Sequence, residues 1–60
     1  MRTLECFGGP LDGAFAAMKP DQEHVFIKLD EHVHLYGVSE RITKSGPVEV
    51  LEYLSSLSIA

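Results

Sequence analysis

The chain has 60 residues, a net charge of −4 and one cysteine, which restricts it to a single small domain without an internal disulfide. Its five basic side chains are scattered, so the clustered phosphate contacts that nucleic-acid binding requires are not expected. It shows neither a secretory signal nor an apolar run long enough to cross a bilayer, so we expect a cytoplasmic protein with no nucleic-acid or membrane partner.

The first segment, Arg2 to Phe7, alternates in polarity, with Leu4 and Cys6 on one face. That period of two predicts a half-buried strand. Gly13 to Met18 is short and apolar and is predicted to be a buried strand, although its two alanines are weak strand formers.

A glycine-rich hexapeptide joins these segments and is predicted to reverse the chain through Gly8, Gly9, Pro10, Asp12 and Gly13. Gly9 precedes a proline, which favours extended geometry, and Pro10 suits the first corner of a turn. The Asp12 carboxylate can accept hydrogen bonds from nearby amides, and Gly13 tolerates a positive φ. The motif lacks the lysine and spacing of a phosphate-binding loop, so a structural hairpin turn is predicted.

The clearest strand pattern runs from His24 to Val38 and predicts a hairpin. A three-residue loop, 30–32, would gather one apolar face from Val25, Ile27, Leu29, Val33 and Leu35. The opposite, mixed face would then carry His24, Phe26, Lys28, His34, Tyr36 and Val38. A two-residue loop would instead place His32 and His34 among the apolar side chains, so burial favours the three-residue register.

The segment from Val48 to Leu54 fits two structures. Pro47 with two following glutamates favours a short helix over 48–57, whereas the valines and Tyr53 favour a strand returning along 39–44. Residues 55–60 are predicted to be a loosely ordered tail.

The sequence therefore predicts one all-β domain over residues 1–54: a small antiparallel sheet of four or five strands, twisted or curled into a partly open barrel. The alternative is an α+β fold with a C-terminal helix at 48–57.

The stretch from Cys6 to Gly13 resembles the opening of many very small bacteriophage and prophage proteins, which have a short strand and a Gly-Gly-Pro-x-Asp-Gly turn. Val48 to Leu54 is loosely similar to their aromatic-containing last strand. The resemblance implies a phage origin and a small β fold, favours the strand over the helix at the C-terminus, and implies residence in the cytoplasm of an infected bacterial host.

The mixed face is the candidate protein-binding surface, because it combines aromatic anchors with polar neighbours. The alternative is that another element covers these residues as a second core layer. His24, His32 and His34 are weak candidates for a metal site, since convergence on one ion would need another element. Cys6 is expected to pack in the core rather than act as a nucleophile, and no catalytic residue and no cofactor are predicted.

The first functional hypothesis is a non-enzymatic, phage-type binding module that docks on a host bacterial protein and modulates or inhibits it. The second is a self-associating structural or assembly protein, whose oligomer supplies the burial that a short chain lacks. The third is a small metal-binding protein built on the histidines.

Overall fold

The computed structural model describes residues 1–58, which form one five-stranded sheet curled into a half-barrel. Its elements in chain order are β1 (Arg2–Phe7), a 3₁₀ turn (Gly9–Leu11), β2 (Phe15–Met18), β3 (His24–Leu29), β4 (His32–Thr43) and β5 (Gly46–Ser58). The strand order across the sheet is β2-β1-β5-β4-β3. The predicted all-β class is confirmed, and the helix alternative at 48–57 is wrong because those residues lie within β5.

One pair of strands departs from the predicted antiparallel arrangement. β1 runs parallel to β5, with Cys6 opposite Leu51 and Phe7 opposite Glu52, while the remaining neighbours are antiparallel. A parallel pair needs a long crossover connection. Here β2, β3 and β4 supply it, and they build the rest of the sheet.

The first hairpin forms as the alternation predicts. Leu4 and Cys6 are buried on one face of β1, and β1 pairs with β2 from Arg2 opposite Met18 to Glu5 opposite Phe15. β2 is not a buried strand, however, because it lies at the sheet edge and buries only Met18.

The glycine-rich turn between them uses three of its predicted devices. The Gly8 N–H donates to Asp12 Oδ1 at 2.7 Å, Pro10 lies in the first turn of the 3₁₀ segment, and Gly13 has a φ of 86°. The Gly13 N–H donates to the Cys6 carbonyl at 2.8 Å and closes the hairpin. Gly9 is not extended: its φ of 65° is in the left-handed region that glycine tolerates.

The second hairpin has a two-residue turn, so the predicted three-residue loop is wrong. Asp30 and Glu31 both have positive φ, at 47° and 64°, as a type I′ turn requires. Leu29 therefore lies opposite His32 rather than Val33. A register change of one residue moves every side chain of one strand to the other face, so the predicted partition of both faces fails with it.

β4 and β5 form a long ribbon in which β5 returns along residues 39–44, as the strand interpretation predicts. Ser55 to Ser58 continue β5 and pair with β4, so the predicted loose tail is wrong as far as Ser58, and residues 59–60 lie outside the described part. Tyr36 pairs with Tyr53 and Leu35 pairs with Ser55, which leaves Leu54 as a β-bulge.

The core lies on one side of the sheet, here called the inner face. Its buried side chains are Leu4, Cys6, Met18, Tyr36 and Leu51. Cross-strand partners share a face, so the pairs Val25–Tyr36, Tyr36–Tyr53, Leu51–Val38 and Cys6–Leu51 define this side. The opposite side is here called the outer face.

Candidate protein-binding surface

The six residues predicted to share a mixed face lie on opposite sides of the sheet. His24, Phe26 and Lys28 are on the outer face. The other three, His34, Tyr36 and Val38, are on the inner face, where Tyr36 is fully buried. The predicted cross-strand pair of Phe26 with Tyr36 is therefore wrong, since Phe26 pairs with Leu35 and Tyr36 with Val25.

Tyr36 holds the glycine-rich turn against the sheet. Its hydroxyl donates to the Gly8 carbonyl at 2.7 Å and accepts from the Leu11 N–H at 3.0 Å. The backbone approaches so closely that a Cβ on Gly9 would lie 2.6 Å from the Tyr36 hydroxyl and 2.5 Å from Tyr53 Cδ1. Tyr36 and Gly9 therefore serve the fold and are not open to a partner.

A row of rings continues along the inner face from this corner. Tyr53 packs edge-on against Tyr36 with centroids 5.2 Å apart, and its hydroxyl lies 3.2 Å from His34 Nδ1. His32 stacks on His34 at 6.1 Å. Burial of His32 and His34 among apolar side chains is the reason that the sequence disfavours a two-residue loop. The Tyr53 hydroxyl gives His34 a polar partner on the inner face, which lowers the cost of placing the ring there.

The outer face carries an apolar surface across three adjacent strands. Phe26 lies beside Leu35, and Val33 lies beside Leu57. Leu54 covers Gly37, because a Cβ built there would meet Leu54 Cδ1 at 2.8 Å. We refer to these five side chains as the outer apolar patch: Phe26, Val33, Leu35, Leu54 and Leu57.

Three members of the patch are mostly exposed to solvent. Phe26 is 71% exposed, Leu57 68% and Leu54 53%. An isolated exposed leucine is ordinary, but several large apolar side chains on neighbouring strands mark an interaction surface. Sequence analysis found Phe26 only: Val33 and Leu35 were predicted on the buried face, and Leu57 in the tail. Leu54 and Leu57 are three residues apart, so regular alternation would place them on opposite faces of a strand. The β-bulge at Leu54 brings both to the outer face, and the sequence pattern does not signal it.

The strand segments that carry the patch hold few charged side chains. Over residues 24–29, 32–37 and 54–58, which carry it, Lys28 is the one side chain charged at neutral pH with histidine uncharged. His24 flanks Phe26 on the same face. Carboxylates lie at its borders, because Asp30 and Glu31 form the turn between β3 and β4, and Glu52 lies opposite Gly37 on the outer face.

A second group on the outer face is already paired. Arg41 donates to Glu52 from Nε at 2.7 Å and from Nη2 at 3.2 Å. Its guanidinium carbon lies 4.0 Å from the centre of the Phe7 ring. The hydrogen bond from Arg41 lowers the pKa of Glu52 below its ordinary value, with partial burial opposing the shift and the charge of Arg41 adding to it. These side chains satisfy one another, so they form a poorer docking site than the patch.

The histidines and the cysteine do not assemble a reactive site in the described chain. His24 is on the outer face, whereas His32 and His34 are on the inner face. No group of three His, Cys, Asp or Glu side chains within residues 1–58 is placed to hold a metal ion. Cys6 is fully buried, and burial, with a smaller contribution from the nearby Glu5 carboxylate, raises the pKa of its thiol. A raised pKa disfavours the nucleophilic thiolate.

Comparison with known proteins yields no relative. No protein-family model matches the chain, and neither a curated protein nor a solved structure is significantly similar to it.

Residues 1–58 contain no helix with the length and apolar character needed to cross a membrane.

Proposed function

We propose that this protein is a non-enzymatic, phage-type binding module that docks on a bacterial host protein through the outer apolar patch and modulates that protein. The single observation that carries the proposal is the exposure of Phe26 on β3 and of Leu54 and Leu57 on β5, on one face of a one-layer sheet in which β4 lies between these two strands. The resemblance of Cys6 to Gly13 to phage proteins supports the choice of host and of the bacterial cytoplasm as the site of action.

The patch has the composition of the centre of a protein interface. Burying apolar area is worth about 25 cal/mol per Å², and an aromatic side chain surrounded by aliphatic ones is typical of the positions that dominate binding energy. Phe26 is the aromatic member of the patch and lies beside Leu35 on the neighbouring strand. A partner that covers it also provides the second layer that a sheet of this size otherwise lacks.

The charge distribution indicates the chemistry of the partner. Lys28 and His24 flank the Phe26 ring on the same face of β3, and β3 itself carries no carboxylate. We infer that the partner presents an apolar depression with an acidic residue at the part of its rim that faces Lys28. The Lys28 ammonium then meets a carboxylate at the border of the interface, where such pairs guide association more than they add affinity.

The test is a pulldown from bacterial lysate followed by reconstitution with the purified captured protein. The informative variant is Phe26→Ser/Leu57→Ser, which removes the two most exposed members of the patch. The matched control is Ile42→Ser/Val48→Ser, which changes two exposed apolar residues (79% and 43%) near the tip of the β4–β5 ribbon. Circular dichroism establishes that both variants keep the strand content of the wild type.

We expect the control to capture the same protein as the wild type. The patch variant should weaken the reconstituted complex by about 100-fold, in line with the loss of a dominant aromatic contact. Equal capture by both variants would show that the patch is not the docking surface. Loss of capture by the control alone would place the binding site on the ribbon instead.

A further inference from the structure

β3 is an edge strand, and alternate residues along it direct their main-chain groups away from the sheet. The Glu23 carbonyl accepts from the Val38 N–H at 2.8 Å. In an antiparallel ladder, this orients the odd-numbered positions towards β4 and the even-numbered ones outward. The outward residues of β3 are His24, Phe26 and Lys28.

One of these outward groups is occupied within the chain. Gln22 Nε2 donates to the His24 carbonyl at 2.9 Å. The N–H and C=O groups of Phe26 and Lys28 have no neighbouring strand within residues 1–58. Phe26 and Lys28, two successive outward residues, thus present two N–H donors and two C=O acceptors at the spacing that a neighbouring β-strand requires.

The two edges of the sheet differ in how they resist pairing with another chain. β2 has four residues and is followed at once by Lys19 and Pro20. β3 has six residues, pairs with β4 without a bulge and contains no proline. Short length, proline, bulges and charged side chains are the usual protections of an edge strand against pairing with another chain. Of these, β3 has only the charge of Lys28.

We propose that the β3 edge pairs with β3 of a second copy of the chain, antiparallel and about a two-fold axis perpendicular to the sheet. Ile27 then lies opposite Ile27 of the second copy, and Phe26 lies opposite the second copy's Lys28. This contact is made by the main chain of the β3 edge; it shares Phe26 with the outer apolar patch but does not rest on the proposed function.

The register of the β3–β3 pairing follows from which outward main-chain N–H and C=O groups have no hydrogen-bond partner in the described chain. Pairing Phe26 with the second copy's Lys28 uses the open amides and carbonyls of both residues and leaves the Gln22–His24 hydrogen bond intact. The neighbouring register, with Phe26 opposite itself, requires the His24 carbonyl that Gln22 already occupies. It also sets Lys28 opposite His24.

The side-chain contacts across the junction favour the same register. Each Lys28 ammonium lies beside the second copy's Phe26 ring, an arrangement that favours a cation–π contact. On the inner face, Ile27 meets its own copy and Val25 meets Leu29, so only apolar side chains face one another. Two copies of one strand therefore complement each other without like charges in contact.

The pairing also enlarges the docking surface. A perpendicular two-fold axis keeps both outer faces on the same side, so the two patches lie side by side across a junction that carries the paired Phe26 and Lys28 side chains. A stable protein interface buries about 800 Å² on each partner, whereas an exposed apolar patch on a small monomer is usually about 300–600 Å². Doubling the patch brings it into the range of a stable interface.

Disulfide trapping tests the register directly. In the proposed pairing, residue 27 faces its own copy in a non-hydrogen-bonded pair, with Cα atoms about 4.5 Å apart, a distance that a disulfide can bridge. We expect Ile27→Cys to form a covalent dimer at least about tenfold faster than Ile42→Cys, an exposed control near the ribbon tip, because pairing raises the local concentration of the thiols. Wild type, whose cysteine is buried, sets the background.

Three outcomes would overturn the proposal. Fastest cross-linking of Phe26→Cys would show the neighbouring register, and equal rates for positions 27 and 42 would show random collision. Light scattering on the unmodified chain at submillimolar concentration should give twice the 6.6 kDa of the monomer, and a monomer mass would also refute the pairing.

Proline substitution separates the edge from the patch without relying on cysteine. Lys28→Pro removes an outward N–H and leaves the β3–β4 hydrogen bonds in place, so it should give a monomer. Lys28→Ala, which keeps the N–H, should retain at least part of the dimer. A dimer that survives Lys28→Pro but is lost in Leu57→Ser would assign the contact to the outer apolar patch and overturn the proposal.

Discussion

The two faces of the sheet differ in how deeply their side chains are buried. The inner face buries Tyr36, Leu51, Met18 and Cys6 completely, and the turn at Gly8–Leu11 is hydrogen-bonded to it. The outer face leaves Phe26 and Leu57 more than two thirds exposed. The difference indicates that stability depends mainly on the inner face, whereas the exposed side chains of the outer face can be altered with little effect on the fold. Val50, also on the outer face, is only 4% exposed and belongs with the buried residues.

Truncating a buried inner-face residue should have the largest effect. Leu51→Ala removes a fully buried side chain at the β1–β5 contact and should lower the free energy of unfolding by about 2–5 kcal/mol. Val48→Ala, on the outer face of the same strand, should cost less than about 1 kcal/mol. Urea denaturation followed by circular dichroism measures both, and similar losses for the two variants would remove the distinction between the faces.

The Tyr36 hydroxyl should give the next largest effect. Tyr36→Phe leaves the Gly8 carbonyl and the Leu11 N–H without their shared partner, and we expect a loss of about 1–3 kcal/mol. Tyr53→Phe is the matched control, because its hydroxyl contacts His34 in a partly exposed position. If the control were the more destabilised variant, the hydroxyl of Tyr36 would not be what anchors the turn.

The outer apolar patch should tolerate a polar substitution. Phe26→Ser replaces a side chain that is 71% exposed, so the free energy of unfolding should change by less than about 1 kcal/mol. Thermal unfolding measured at a concentration that keeps the chain monomeric provides the test. A large loss would mean that Phe26 belongs to the core and is not free to bind a partner.

The outer ion pair should show the smallest effect, visible as a dependence on pH. The pKa of Glu52 is lowered from 4.5 by Arg41, so the folded state binds this proton less readily than the unfolded state. The stabilising contribution is present above pH 4.5 and is lost as the pH falls through the lowered pKa of the folded state. An NMR titration of Glu52 should show that pKa returning towards 4.5 in Arg41→Ala, and an unchanged titration would exclude the pair as its cause.

The local features of the fold were predictable, and the features that depend on distant partners were not. The alternation at Leu4 and Cys6 directly predicts a half-buried strand, and the Asp12–Gly13 pair predicts a turn. The parallel contact of β1 with β5 leaves no local trace, because it depends on the distant strand that happens to lie beside β1.

The sequence predicts only part of the candidate site, because the length of the turn in the second hairpin differs from the predicted length. Burial disfavours a two-residue turn only if an inner face excludes His34, and the Tyr53 hydroxyl lies within hydrogen-bonding distance of that histidine. Asp30 and Glu31 also adopt positive φ without the glycine that usually marks such a turn. With the register displaced by one residue, Phe26 stayed on the binding face while Tyr36 moved into the core.

The parallel pairing of β1 with β5 has a consequence for biosynthesis. β1 emerges from the ribosome well before β5, yet Cys6 and Phe7 lie beside Leu51 and Glu52. The sheet cannot close until β5 has left the exit tunnel, so a stalled nascent chain that lacks residues 46–58 should leave the Cys6 thiol open to alkylation. Released chains should protect it.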